Sequence, residues 1–171
     1  SRLEKKADNR YKAAFSITLL AKNKAGYENL VKLSSLGYTE GFYYYPRIDF
    51  ELLETHNEGL ICLTGGLDSR FAQEFFSGGK ESLALALKRY QTLFPEDFYL
   101  EIQRHAMSEE LLVKEGMKEE AWLLQRYKDF EQKQTRFNEA LVSLSNELKI
   151  PLVATNASHY LERDDWKAHE I

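Results

Sequence analysis

Apolar residues fall in short blocks separated by longer amphipathic stretches. Phe15-Ser-Ile-Thr-Leu-Leu-Ala21 reads as a first strand. Asn23 then caps a helix over roughly 24–36, with Tyr27, Leu30, Val31 and Leu33 on its buried side and Gly37 as its stop. Tyr38 to Asp49 is an aromatic loop, and Asp49 is placed to cap a short helix over about 50–55. Leu60–Leu63 reads as a second strand that empties into the turn Thr64-Gly-Gly-Leu-Asp68. Helices over about 69–76 and 80–93 are separated by Ser77-Gly-Gly79, and the alternation in Phe98–Gln103 predicts a third strand. Residues 108–149 read as helical, with a bend near Gly116. Trp122, Leu123, Leu124, Tyr127 and Phe130 supply one apolar face of that stretch, and Phe137, Leu141, Leu144 and Leu148 supply another. Pro151 ends the helix, and Leu152–Ala154 reads as a buried fourth strand.

Strands alternating with helices argue an α/β fold, a parallel sheet or barrel with helices outside. No repeat or linker divides the chain, so a single domain is expected, with polar residues 1–10 flexible. At 171 residues, 43% hydrophobic and 29% charged, the chain has the make-up of a globular domain with a real core. A net charge of −4 argues against a domain that grips duplex DNA by itself. The single cysteine, Cys62, sits inside the second strand; it reads as a buried structural thiol and suits a reducing cytoplasm. No apolar run reaches the roughly 18 residues of a membrane span, and no signal peptide is visible. The polar start at Ser1 and the end at Ile171 both look cut from something larger.

The chemistry-bearing residues cluster just past strand ends. Arg104 and His105 follow the third strand; Thr155, Asn156 and His159 follow the fourth. Parallel α/β folds keep their chemistry at such ends, because the strand fixes the backbone while the loop varies. Two strand-end histidines suit a metal, a phosphate or a purely structural role, and spacing leaves all three open. His169, among Asp164, Asp165 and Glu170, suits either a third ligand or a surface helix start; His56 reads as exposed. Thr64-Gly65-Gly66 lacks the Gly-Lys-Ser/Thr of a phosphate loop and reads as a plain turn. The cluster Phe42-Tyr43-Tyr44-Tyr45 with Arg47 could stack on bases in a free-standing binding module, but a loop packed over one end of a barrel is the simpler reading. Lys114, Lys118, Glu119 and Glu120 read as a solvated helix face.

The runs Ile17-Thr-Leu-Leu-Ala-Lys-Asn-Lys-Ala-Gly-Tyr-Glu-Asn-Leu-Val-Lys-Leu33, Glu40-Gly-Phe-Tyr with Pro46-Arg-Ile-Asp49, Glu101-Ile-Gln-Arg-His105 and Ala154-Thr-Asn-Ala-Ser-His159-Tyr carry a resemblance. In this order they resemble the PHP (polymerase and histidinol phosphatase) domain of bacterial DNA polymerase III alpha subunits, from about Phe15 to Ile171. The resemblance implies a distorted seven-stranded, TIM-like β/α barrel. The chain would be a partial PHP domain, because the family's opening His-x-His strand would lie upstream of Ser1. The open sheet edges left behind would favour dimerisation or strand exchange. The resemblance also implies a cytoplasmic parent that polymerises DNA. Its palm, fingers, thumb and magnesium site would lie outside this chain. The partners implied are the rest of the alpha subunit and a proofreading exonuclease subunit, with DNA met only through the full protein and no membrane.

Metal-holding members of the family cluster histidines, acids and sometimes a cysteine around up to three ions. His105 and His159 stand where family ligands stand, as remnants for residual zinc or manganese. Ser16, Gly66, Arg70, Arg104, Asn156 and His169 are the other expected site-lining positions. Ser16 stands in place of a histidine, Gly66 of a cysteine, Arg70 of a glutamate and Ala157 of an aspartate. Each lost carboxylate removes charge compensation, and a cationic Arg70 would repel an ion. The expectation is a scaffold with a degenerate site, no catalytic residue and no cofactor of its own. The rival is a metal-dependent phosphoesterase or 3′–5′ exonuclease built on His105, His159 and His169. The stretch 108–136 is longer than the family pattern and suits either a docking surface or a neutral insertion.

Overall fold

A computed structural model of the chain describes residues 2–3, 14–156, 158–162, 165 and 168. The elements in order are β1 (Thr18–Ala21), α1 (Lys24–Thr39), α2 (Phe50–Thr55), β2 (Leu60–Leu63), α3 (Arg70–Leu93), β3 (Phe98–Gln103), α4 (Glu109–Lys114), α5 (Ala121–Leu148) and β4 (Leu152–Thr155). The described strands form one open sheet of order β1-β2-β3-β4. This is the α/β class expected, as a four-stranded sheet.

Two expectations about the sheet are corrected. β1 runs antiparallel to β2, with Thr18 opposite Leu63, while β2, β3 and β4 are parallel. Pairing direction follows from how α1 and α2 return the chain, which strand patterning does not encode. β4 is not a buried strand but, among the described strands, an edge strand: Leu152 is 42% exposed and Ala154 is exposed. Its apolar composition matches that of an interior strand, so composition alone misplaces it.

Helices cover the sheet face that bears Leu19, Leu60, Cys62, Phe98 and Leu100. Leu33 of α1, Phe71, Leu83 and Leu87 of α3, and Phe137, Leu141 and Leu144 of α5 close the core against it. Each such side chain fully withdrawn from water contributes about 1.5–3 kcal/mol. Burial also pushes the Cys62 thiol well above its ordinary range, so it is an unreactive part of this core.

The helix caps form as local chemistry dictates. Asn23, Asp49, Ser69 and Ser108 each accept a bond from a backbone N–H in the first turn of the following helix. Gly37, however, does not stop α1. The helix runs on to Thr39, and Gly37 is buried inside it beside Arg47 and Ile48, where a Cβ would meet only ordinary contacts at 3.6 Å. Of the residues expected on its buried side, Leu33 is buried, whereas Tyr27 and Val31 are exposed. The break near Ser77-Gly-Gly79 is present as a kink in α3, where Gly79 has φ +73°. Glu74 and Ser82 hydrogen-bond across it at 2.6 Å. Gly116, with φ +66°, likewise separates α4 from α5. On α5 the Phe137, Leu141 and Leu144 face is buried, but Trp122 is 63% exposed.

Near the amino terminus, Arg2 is held rather than loose. Its side chain reaches Asp49 at 2.9 Å, Glu40 at 3.1 Å and Glu51 at 3.3 Å. Ser1 and residues 4–10, the rest of the stretch expected to be flexible, lie outside the described residues. The aromatic loop is tied down by Arg47, which donates to the carbonyls of Gly41 and Arg2, while Tyr44 and Tyr45 point to solvent. His56 is partly buried, its ring bonded to Thr55 and to the Leu52 carbonyl.

The start of α1 is locked to the turn before β2. Gly59, at φ +69°, sits against Asn23 and Gly26, and a Cβ on Gly26 would lie 1.8 Å from the Gly59 carbonyl oxygen. Gly26→Ala is therefore expected to destabilise the fold by about 1–3 kcal/mol, read as a lowered urea midpoint with unchanged slope. The Ser82 bond, aided by Arg70 and opposed by burial, holds the Glu74 carboxyl below its usual range. A depressed folded-state value means stability present above the unfolded value and lost as pH falls through the folded one. The pH dependence of unfolding below about pH 4.5 should accordingly flatten in Ser82→Ala.

Candidate functional site at the strand ends

The carboxyl ends of the parallel strands lie side by side, and a buried carboxyl group stitches them together. Glu101, on β3 and 4% exposed, points to the sheet face opposite the helices. Its Oε2 accepts from the Gly65 N–H at 2.9 Å, just past β2. Its Oε1 accepts from Gln103 Nε2 at 2.9 Å and from the Thr155 hydroxyl on β4. The Glu101 N–H donates to Thr64 Oγ1 at 2.8 Å. One residue thus joins the ends of β2, β3 and β4. Sequence reasoning did not single it out, because a polar residue in an alternating strand looks solvent-facing. The available signal was the pair Glu101 and Gln103 on one face of an otherwise apolar strand.

Past these ends lies a cleft of about 550 Å³ lined by Arg104, His105, Asn156 and His159, with Tyr127 and Phe130 of α5 forming one wall. The two strand-end histidines therefore share one cleft, at the same end of the sheet. His105 is fixed from α5: its backbone N–H donates to Gln134 Oε1 at 2.8 Å, and Gln134 Nε2 contacts its ring Nδ1 at 3.0 Å. Asn138, one turn further on, donates to the Gln103 carbonyl at 2.8 Å. Tyr127 accepts from the Met107 N–H at 2.8 Å. The loop after β3 is thereby bound to α5 throughout.

Other expected site residues do not line the histidine cleft, although Ser16 is bridged to Ser69 near Gly65, at the carboxyl end of β2. Ser16 and Arg70 line a separate cavity of about 1020 Å³ between α1, α3 and the start of β1. Arg70 faces along its own helix, paired with Glu74 at 2.7 Å, because that carboxylate lies one turn away. Gly66 borders Gln103: a Cβ there would lie 2.4 Å from Gln103 Oε1, so the glutamine fills the space a larger residue would take. His169, and with it Ala157, Asp164 and Glu170, falls outside the described residues.

The donor set of the described residues does not fit a metal cluster. Among the described residues no group of three His, Cys, Asp or Glu side chains could hold an ion. Glu101 is engaged by three donors, and Cys62 lies within the strand core. In Glu101→Gln an amide NH2 would meet donors on one side. We expect a loss of about 1–3 kcal/mol in denaturant unfolding, with faster amide exchange at Gly65.

Residues 3–105 match the PHP domain family. The whole chain aligns at 48% identity with the DNA polymerase III subunit alpha of Chlamydia pneumoniae and at 50% with that of Chlamydia trachomatis, covering 14% of each. It aligns at 34% identity with the subunit of Thermus aquaticus, over 92% of this chain and 11% of the relative. The chain thus spans about a seventh of the length of the chlamydial relatives. With a match that extends over more than half of its residues and the strand-end histidines gathered at one end of an α/β sheet, the chain belongs to the PHP domain family.

Proposed function

We propose that this chain is the PHP portion of a DNA polymerase III alpha subunit and that it works as a scaffold with a degenerate metal site. The whole protein would extend primed DNA at a magnesium-dependent site carried outside this chain. The observation that carries the scaffold reading is the inward engagement of the strand-end groups. Glu101 binds Gly65, Gln103 and Thr155, and His105 binds Gln134, so these groups brace the sheet against α5.

The partners proposed are the rest of the alpha subunit and, on the 108–136 extension, the proofreading exonuclease subunit. Val113, Trp122 and Phe130 are exposed along α4 and the first half of α5, which supports docking there. Among the described residues no helix is long and apolar enough to cross a membrane.

A second reading, a metal-dependent phosphoesterase or 3′–5′ exonuclease, is favoured by the shared cleft of His105 and His159. Metal analysis after dialysis separates the two. A scaffold holds less than one equivalent of zinc or manganese, and His159→Ala costs it little beyond packing. Two or more retained equivalents, with phosphoester hydrolysis abolished by His159→Ala, would establish the enzyme instead.

A further inference from the structure

The bond between Gln134 and His105 decides what the cleft can bind. The His105 backbone N–H donates to Gln134 Oε1 at 2.8 Å, so the amide oxygen must face that N–H. The amide NH2 then faces the ring Nδ1 at 3.0 Å, and Nδ1 has to accept. A neutral imidazole that accepts at Nδ1 carries its proton on Nε2. A ligand to a metal needs a lone pair there instead. Gln134 is 7% exposed and sits in the middle of α5, so a rigid helix sets this orientation.

Beside the apolar Ala106, Met107 and Phe130, the lining carries further donor groups. Arg104 brings a guanidinium, Asn156 an amide and Ser158 a hydroxyl, and among the described residues no Asp or Glu lines the cleft. The nearby carboxyl groups are committed: Glu131 accepts from Tyr127 at 3.2 Å, and Glu101 serves the strand ends. A cation would find no compensating charge, whereas an oxyanion would find a guanidinium and N–H donors.

We propose that Gln134 holds His105 in its Nε2–H tautomer, so that the cleft past β3 and β4 presents donors and receives a phosphate-type oxyanion instead of a metal ion. Gln134 is thus a positioning residue that acts through His105. The proposal rests on the degenerate-site reading, since a metal bound through His105 is incompatible with both.

The test uses the full chain, inorganic phosphate and zinc. Long-range proton–nitrogen correlation should find His105 as the Nε2–H tautomer, and phosphate should shift the Arg104 and His105 signals saturably. Gln134→Glu reverses the polarity: its carboxylate accepts from the backbone N–H and from a ring Nδ1–H, which frees a lone pair at Nε2. Phosphate affinity should then fall at least about tenfold, the loss of one charge-assisted hydrogen bond. An Nδ1–H tautomer in the unsubstituted chain, or phosphate binding indifferent to Gln134→Glu, overturns the proposal and leaves the scaffold reading standing. Zinc held by the unsubstituted chain through His105 overturns both. Should Gln134→Glu fail to fold, the tautomer and the phosphate titration of the unsubstituted chain decide.

Discussion

The structure depends on a buried carboxyl group that serves as an acceptor for three strand ends. Glu101 stands where β2, β3 and β4 stop, and each neighbour supplies a donor: Gly65 from its backbone, Gln103 and Thr155 from side chains. Withdrawing such a group from water costs several kcal/mol, and only a full set of well-aligned donors offsets it. The arrangement ties the positions of three loops to one another. It also commits the Glu101 carboxyl to the strand ends rather than to the cleft beyond them.

Much of the fold was legible because its signals are local. The cap at Asp49, the bounds of β2 and β3, and the breaks at Gly79 and Gly116 each follow from a side chain acting on its own backbone or from a glycine at positive φ. What misled depends on distant partners. Gly37 looks like a helix end, yet it lies buried inside α1, packed beside Arg47 and Ile48. Leu152-Val-Ala looks buried, yet β4 has a neighbour on one side only among the described strands. The direction of β1 is likewise a property of the packed chain.

The candidate site was legible as a place more than as a mechanism. Strand-end position brings His105 and His159 to one cleft, as the pattern of apolar runs and following polar residues suggests. The partner that sets the character of His105 sits 29 residues further along, on α5, and no spacing rule points to Gln134. The antiparallel β1 brings Ser16 to the carboxyl end of β2, beside Ser69 and Gly65, while Arg70 opens α3 and pairs with Glu74; both border the larger cavity rather than the histidine cleft. Gly66 marks a gap in a ligand pattern, and only the packed structure puts Gln103 into that gap.

The contact between Gly26 and Gly59 has an evolutionary corollary. Both residues already lack side chains, so neither can shrink to accommodate growth in the other. Gly59 is further bound by its positive φ and by the Asn23 side chain, 2.3 Å from where its Cβ would lie. Any drift at this junction must therefore be absorbed by displacing the whole first helix, and lineages that descend from this sequence should find the pair almost frozen while the helix around it varies.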